Sequence, residues 1–206
     1  MRIAPAPSLP EIRLYTAHPA SGLWRLVGRG EGDNPLPPYW AYHWAGGTVL
    51  ARYILDRPKT VAGLRILDLG AGSGVVGIAA AKSGAKAVLA ADIDRNAVAA
   101  ITVNAVANAV SITTICEDIT PGAPPAVDLI LVGDLFYGQE LAERVAAFLE
   151  RCVAAGIEVL VGDPGRAHLP LSKLRLLAEY PVADFGTGNE ATMEPSAVYS
   201  FGSPKA

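Results

Sequence analysis

Two short stretches of this 206-residue chain carry side chains that could do chemistry. The first is Leu67-Asp68-Leu69-Gly70-Ala71-Gly72-Ser73-Gly74-Val75-Val76-Gly77, where an apolar run meets alternating glycines and then helix-forming residues. Glycine lets the backbone turn tightly, and the free N–H groups of a helix start face such a loop, so polar ligand groups can approach closely. Gly72–Gly77 satisfies G-x-G-x-x-G, and Asp92 lies 20 residues after Gly72, where an acid that binds a ribose is expected. That pattern alone suits a nicotinamide dinucleotide. Asp68 argues otherwise: a carboxylate at the strand end repels a pyrophosphate but favours the α-ammonium and sulfonium of S-adenosylmethionine. The second stretch is Gly133-Asp134-Leu135-Phe136-Tyr137. A carboxylate and a phenol three residues apart suit holding a neutral amine with its lone pair aimed at a methyl group. Asp134 can accept a hydrogen bond from the amine, while Tyr137 packs on the alkyl stem or bonds to the nitrogen. A lysine amine has a pKa of about 10.4 and must shed a proton before it attacks. Desolvation favours the neutral form and a carboxylate disfavours it. Asp134 therefore reads chiefly as a positioning group, with proton acceptance secondary. Plainer readings stand beside these: Asp92 and Asp134 as helix caps, Asp118 as a solvated loop acid, and Tyr137 and Trp44 as packing.

The elements that must hold these residues follow from the apolar pattern. Short apolar runs at Arg65–Leu69, Ala87–Ala91, Ile112–Cys116, Val127–Val132 and Ile157–Val161 predict buried strands. Between them the spacing predicts helices over Val75–Ser83, Arg95–Asn108 and Gln139–Ala154, with another over Gly47–Asp56 ahead of the first strand. The tail predicts a helix near Leu171–Tyr180, then two β-like runs at Val182–Phe185 and Ala197–Phe201 joined through Gly186 and Gly188. The expected fold is α/β: a Rossmann-like, seven-stranded, mostly parallel sheet with an antiparallel closing hairpin and helices on both faces. In such sheets ligands sit beyond the carboxyl ends of the strands, which places Asp68, Asp92 and Asp134 at one rim. Seven of the 16 prolines fall in the first 38 residues. Residues 1–38 are therefore expected to be an irregular arm, with short strands near Ile12–Leu14 and Trp24–Val27, and residues 39–206 the domain proper.

Composition narrows the classes. Apolar residues make up 51% and charged residues 18%, enough to bury a sizeable core. The net charge of −3 leaves no broad basic footprint for nucleic acid or an anionic membrane. Cys116 and Cys152, with three scattered histidines, make neither a disulfide framework nor a metal-ligand spacing. Lys82 and Lys86 interrupt the most apolar stretch before it could span a membrane. The start, Met-Arg-Ile-Ala-Pro-Ala-Pro with Glu11 soon after, suits neither a signal nor a transit peptide. The expectation is a cytoplasmic monomer with no metal, no nucleic-acid partner and no membrane partner.

The spelling Asp-x-Gly-x-Gly-x-Gly at 68–74 resembles the cofactor motif of class I, seven-strand methyltransferases that use S-adenosylmethionine. That resemblance implies cofactor contacts at Asp68, Gly70, Gly72 and Gly74, ribose hydroxyls on Asp92 and the adenine amine near Asp118. Asp-x-x-Tyr at 134–137 resembles methyltransferase family 16, made largely of protein lysine methyltransferases; the Pro-Pro of other amino-group methyltransferases is absent. Trp44, beside Gly46-Gly47, matches the family's aromatic segment, in which the tryptophan helps enclose the cofactor, while Asp134 and Tyr137 serve the reacting amine. Pro38–Gly47, Asn104, Gly133–Tyr137 and Gly162-Asp163-Pro164-Gly165-Arg166, in that order, are similar to the branch acting on the electron transfer flavoprotein β subunit. The similarity covers roughly residues 35–202. It implies trimethylation of lysines on that protein substrate, in a bacterial setting given the Ala-rich sequence. Arg166 is left between an exposed turn residue and a contact to the substrate or to the cofactor carboxylate. The residues leave open methylation of another protein, such as a ribosomal protein, or of a small amine. A nicotinamide oxidoreductase is disfavoured by Asp68 and by the want of a hydride-transfer acid. A non-catalytic cofactor-binding module is disfavoured because Asp68, Asp92, Asp134 and Tyr137 are all present.

Overall fold

The computed structural model describes residues 1–17, 21–23, 37–184 and 193–202. A seven-stranded sheet forms the centre, in the order β5-β4-β3-β6-β7-β9-β8. The strands are β3 (Arg65–Leu69), β4 (Ala87–Asp92), β5 (Thr113–Cys116), β6 (Leu129–Gly133), β7 (Glu158–Asp163), β8 (Leu174–Ala183) and β9 (Met193–Phe201). The first five run parallel; β9 is antiparallel to both β7 and β8, so it alone is reversed. The helices are α1 (Ala45–Asp56), α2 (Val75–Lys82), α3 (Arg95–Ala107) and α4 (Gln139–Ala154). Sequence had put β3 and α4 at these bounds and every other core element within two residues.

Period-two alternation in β6 explains why the strand is apolar throughout. Leu129 and Leu131 join a core with α1 and α2 on one face, and Ile130 and Val132 join a core with Phe148 and Leu149 of α4 on the other. Both faces are thus covered by helices, as expected.

Two expectations are corrected. The helix near Leu171–Tyr180 is a single 3-10 turn, Leu171–Lys173, followed by the ten-residue strand β8. Leu171, Leu174, Leu177 and Tyr180 recur at helical spacing among good helix formers, yet pairing with β9 overrides that propensity, with a register shift between Leu176 and Ala178. The strand therefore begins well before Val182 and carries the hairpin expected at the tail; Phe185, Gly186 and Gly188 lie outside the described residues. The arm is also less irregular than expected. Residues β1 (Arg2–Ala6) and β2 (Leu9–Thr16) form an antiparallel hairpin that accommodates Pro5 and Pro10 because it is only two strands wide. Leu9, Ile12 and Leu14 of β2 are buried in the main core. The run Trp24–Val27 lies outside the described residues.

Two asparagines on α3 fasten this hairpin. Asn104, fully buried, accepts from Tyr15 N–H (2.8 Å) and donates to the carbonyl of Ser73 (2.8 Å) in the glycine loop. Asn108 accepts from Arg13 N–H (3.0 Å) and donates to its carbonyl (2.6 Å). Asn104 thereby connects the hairpin to the loop that lines the site.

Candidate active site

The carboxyl ends of β3, β4 and β6 open into one cavity of about 410 Å3, lined mostly by apolar surface. Trp44, Asp68, Gly70, Gly72, Asp92, Asp118, Asp134 and Tyr137 all face it. Gly74 does not line it; it is the residue before α2 and packs against Ile101. Every other site residue expected from sequence is brought to this one space.

The glycine loop adopts the conformations its residues allow. Gly70, Gly72 and Gly74 have φ of +66°, +53° and +81°, the left-handed region that side chains rarely adopt. Asp68 is buried beneath the start of α2 and accepts from Gly77 N–H at 2.8 Å. Burial pushes its carboxyl up to about 7, against the lowering effect of that hydrogen bond, and neighbouring Asp92 raises it further. The anion-seeking end of α2 is thus already served by an internal carboxylate. Asp92 accepts from Gly72 N–H (2.8 Å) and Asp94 N–H (3.0 Å), and burial raises its pKa. The cap of α3 is Asp94, not Asp92. Asp118 accepts from the Thr120 hydroxyl (2.6 Å) and N–H (3.0 Å) and meets Arg144 at 3.3 Å. The cationic residues lining the cavity, Arg144 and Arg166, both pair with carboxylates. Among the described residues a pyrophosphate would find six lining carboxylates, Asp68, Asp92, Asp94, Glu117, Asp118 and Asp134, and no uncommitted cation. The ammonium, sulfonium and ribose of S-adenosylmethionine suit the same donor set.

At the end of β6, Asp134 has φ of +57°, an uncommon value for a residue with a side chain. It does not cap α4, whose first turn follows Gly138 with no side-chain cap. Instead its Oδ2 accepts from the N–H groups of Gly46 and Gly47 (3.3 Å for the latter) at the start of α1. Its Oδ1 accepts from Arg166 Nε (2.9 Å) and forms an ion pair with Nη2 (2.8 Å). Burial pushes its carboxyl up to about 6, partly offset by Arg166 and reinforced by Asp163 and Asp184. The residue preceding α1 is Trp44, which supplies no side-chain cap, so the helix takes its caps from elsewhere: Asp134, and Asp184 Oδ1 on Ala45 N–H (3.0 Å).

Four glycines make this docking possible. A Cβ on Gly46 would lie 2.3 Å from the Gly162 carbonyl and 2.6 Å from Asp134 Oδ2. One on Gly162 would meet the Gly46 carbonyl at 2.2 Å, and one on Gly133 would meet Gly47 Cα at 2.9 Å. The backbone of α1 therefore touches the ends of β6 and β7 directly. That contact accounts for the glycines in Ala45-Gly46-Gly47, Gly133-Asp134 and Gly162-Asp163.

Arg166 is no exposed turn residue. Its backbone N–H and that of Gly165 are held by Asp163 Oδ1 (2.6 and 2.7 Å), and its guanidinium bridges Asp134 and Asp184 (3.0 Å). The guanidinium carbon lies 6.0 Å from the centre of the Trp44 ring. Trp44 Nε1 donates to the Tyr39 carbonyl (2.8 Å) and its ring meets Tyr39 edge-on at 5.5 Å. Tyr39 in turn lies 5.6 Å from Tyr137, which is half exposed. His43 also lines the cavity, and burial pushes its imidazole down to about 4 and so keeps it neutral. Asp163, Asp184, Tyr39 and His43 escaped the sequence reading; the only signal was their place inside the two motif segments, and Asp184 had none.

Among curated proteins, the electron transfer flavoprotein beta subunit lysine methyltransferase of Xenopus laevis is 39% identical over 203 residues, which cover 95% of this chain and 81% of that protein. Its rat counterpart is 38% identical over 198 residues, covering 93% and 77%. Among solved structures, the ribosomal protein L11 methylase of Lactobacillus delbrueckii shares the fold at a TM-score of 0.53 and 21% identity, covering 79% of this chain and 81% of that one. The sequence profile of the family described as lysine methyltransferase matches residues 41–168, from the aromatic segment to the loop that carries Arg166. The chain belongs to that lysine methyltransferase family.

Proposed function

We propose that this chain transfers methyl groups from S-adenosylmethionine to lysine ε-amines of the electron transfer flavoprotein β subunit, up to trimethyl-lysine. The observation that carries the reading is that a cofactor-type glycine loop with Asp68 and Asp92, and the Asp134–Tyr137 pair, open on one cavity with Trp44 as a shared wall. When bound, S-adenosylmethionine supplies a methyl carbon on a sulfonium: the amine lone pair forms the new N–C bond, the C–S electron pair stays on sulfur, and the amine proton leaves to water. The chain's own part is to bind and align. Asp68 and Asp92 favour the cofactor's ammonium and ribose ends, and Asp118 its base. Tyr39, Trp44 and Tyr137 wall the approach of the lysine stem and exclude water from the reacting nitrogen. Asp134, pinned between α1 and Arg166, fixes Trp44 through the first turn of α1 and sets the charge at the amine's end of the cavity.

The test is a transfer assay with methyl-labelled S-adenosylmethionine and two acceptors, purified electron transfer flavoprotein and a whole-cell extract. Mass spectrometry is expected to find the label on lysines of the β subunit. Label on another extract protein alone would keep the lysine chemistry and move the target. Cofactor binding with no protein label would favour a small amine acceptor.

A further inference from the structure

The lysine that this site would methylate arrives as an ammonium, at a cavity end lined by Asp134, with Asp163 and Asp184 joined to that end through Arg166. Three carboxylates at the amine's end would stabilise the charged, unreactive form. Among the described residues, the one cation at that end is Arg166. It is not a loose surface arginine: Asp163 fixes its backbone, its Nε and Nη2 both reach Asp134 Oδ1, and Nη2 also reaches Asp184. Its side chain lines the same cavity as Trp44, Asp134 and Tyr137. A guanidinium stays charged at every pH the enzyme meets, and its planar fork suits two carboxylates at once.

We propose that Arg166 is a positioning residue for lysine discharge: it neutralises Asp134 and Asp184 so that the amine's end of the cavity does not hold the substrate as an ammonium. The proposal rests on the lysine reading above. The groups that line the cavity at the amine's end are Asp134 after β6, Arg166 after β7, the neutral His43 and the phenols of Tyr39 and Tyr137; Asp163 at the end of β7 and Asp184 after β8 lie outside the lining and are bonded to Arg166. Of these, Arg166 alone opposes the ammonium with a full charge. Its two carboxylate partners are also the caps of α1, so the same contact that holds the helix keeps the charge in place.

The experiment is the pH dependence of initial methylation rate on purified electron transfer flavoprotein, at subsaturating acceptor, for the wild-type chain and for Arg166→Met, Arg166→Lys and Asp184→Asn. The rate should rise with pH along a limb set by the substrate amine. Arg166→Met should move that limb upward by about one unit or more, so that the rate falls about tenfold at neutral pH and recovers in alkaline buffer. Arg166→Lys should hold the limb near its original place. Asp184→Asn, which removes a negative charge and keeps an oxygen acceptor for Ala45 N–H, should move the limb downward. Opposite displacements of one limb do not arise from loosened packing. A pH-independent loss in Arg166→Met, a limb unmoved by Asp184→Asn, or a large loss of S-adenosylmethionine affinity in Arg166→Met would each overturn the proposal; the last would assign Arg166 to the cofactor. A wild-type chain that labels no lysine would overturn the functional reading, and this inference with it.

Discussion

The contact between α1 and the sheet gives the sharpest structural prediction, at Gly46. In Gly46→Ala the new Cβ would lie 2.3 Å from the Gly162 carbonyl oxygen and 2.6 Å from Asp134 Oδ2. Neither neighbour can yield: one is backbone inside β7, and the other is a carboxylate held by Arg166 and α1. The start of α1 must therefore lift by most of an ångström. Overpacking of this kind costs about 1–3 kcal/mol. Weakening the bonds from Gly46 and Gly47 N–H to a charged acceptor adds about 1.5–3 kcal/mol. The gain in helix propensity returns about 1 kcal/mol. The net is about 1.5–5 kcal/mol, and at about 2–4 °C per kcal/mol for a chain of this size, Tm should fall by about 3–20 °C. Differential scanning calorimetry of the ligand-free protein measures it. Gly138→Ala is the control, since a Cβ there meets nothing within 4 Å, and its Tm should stay within about 3 °C. Because Trp44 immediately precedes α1, the Gly46 variant should also lose turnover in the methyl-transfer assay. Unfolding of Gly46→Ala alongside the control would refute the claim that α1 docks by direct backbone contact.

Three further predictions concern the loop, the wall and the hairpin. Asp68 carries a pKa raised to about 7, so S-adenosylmethionine binding that needs its anion should weaken about tenfold as pH falls from about 8 to 6. Isothermal titration would show this dependence in the wild type and its loss in Asp68→Asn; a flat affinity in the wild type would contradict it. Tyr137→Phe keeps the ring beside Tyr39 and should retain kcat/KM within about tenfold, while Tyr137→Ala should lose about a hundredfold or more. Equal losses would mean that the hydroxyl, not the ring, matters. Asn104→Ala leaves Tyr15 N–H and the Ser73 carbonyl without their partner, at about 1–3 kcal/mol each, so amides of residues 9–16 should exchange faster with solvent. Unchanged protection there would show that the apolar contacts of Leu9, Ile12 and Leu14 hold the hairpin alone.

What was legible in the sequence was local. The Asp68–Gly77 segment carries its own turn chemistry, and the apolar run of β6 and the largely apolar run of β3 suit strands covered on both faces. Asp134 and Tyr137 were legible because they close one strand together. Partnerships across the chain were not: Asp134 meets residues 88 and 32 positions away, and Asp184 reaches Ala45 across 139. No spacing rule connects those pairs. Strand β8 was misread because Leu171, Leu174 and Leu177 satisfy helical spacing, while the deciding partner, β9, lies beyond residues 185–192. The first 16 residues were misread because Pro5 and Pro10 count against a strand in a wide sheet and not against a two-stranded hairpin.

A lysine ε-amine methylated at the end of the cavity lined by Asp134 and Tyr137 would carry the methyl groups on the acceptor protein itself. The most direct measurement is the intact mass of the electron transfer flavoprotein β subunit after incubation with the chain and S-adenosylmethionine, followed by peptide mapping. Stepwise gains of one methyl mass up to three are expected on individual lysines with the wild type, and almost none with Asp134→Asn that still binds the cofactor. An unchanged mass with the wild type, or full methylation by Asp134→Asn, would contradict it.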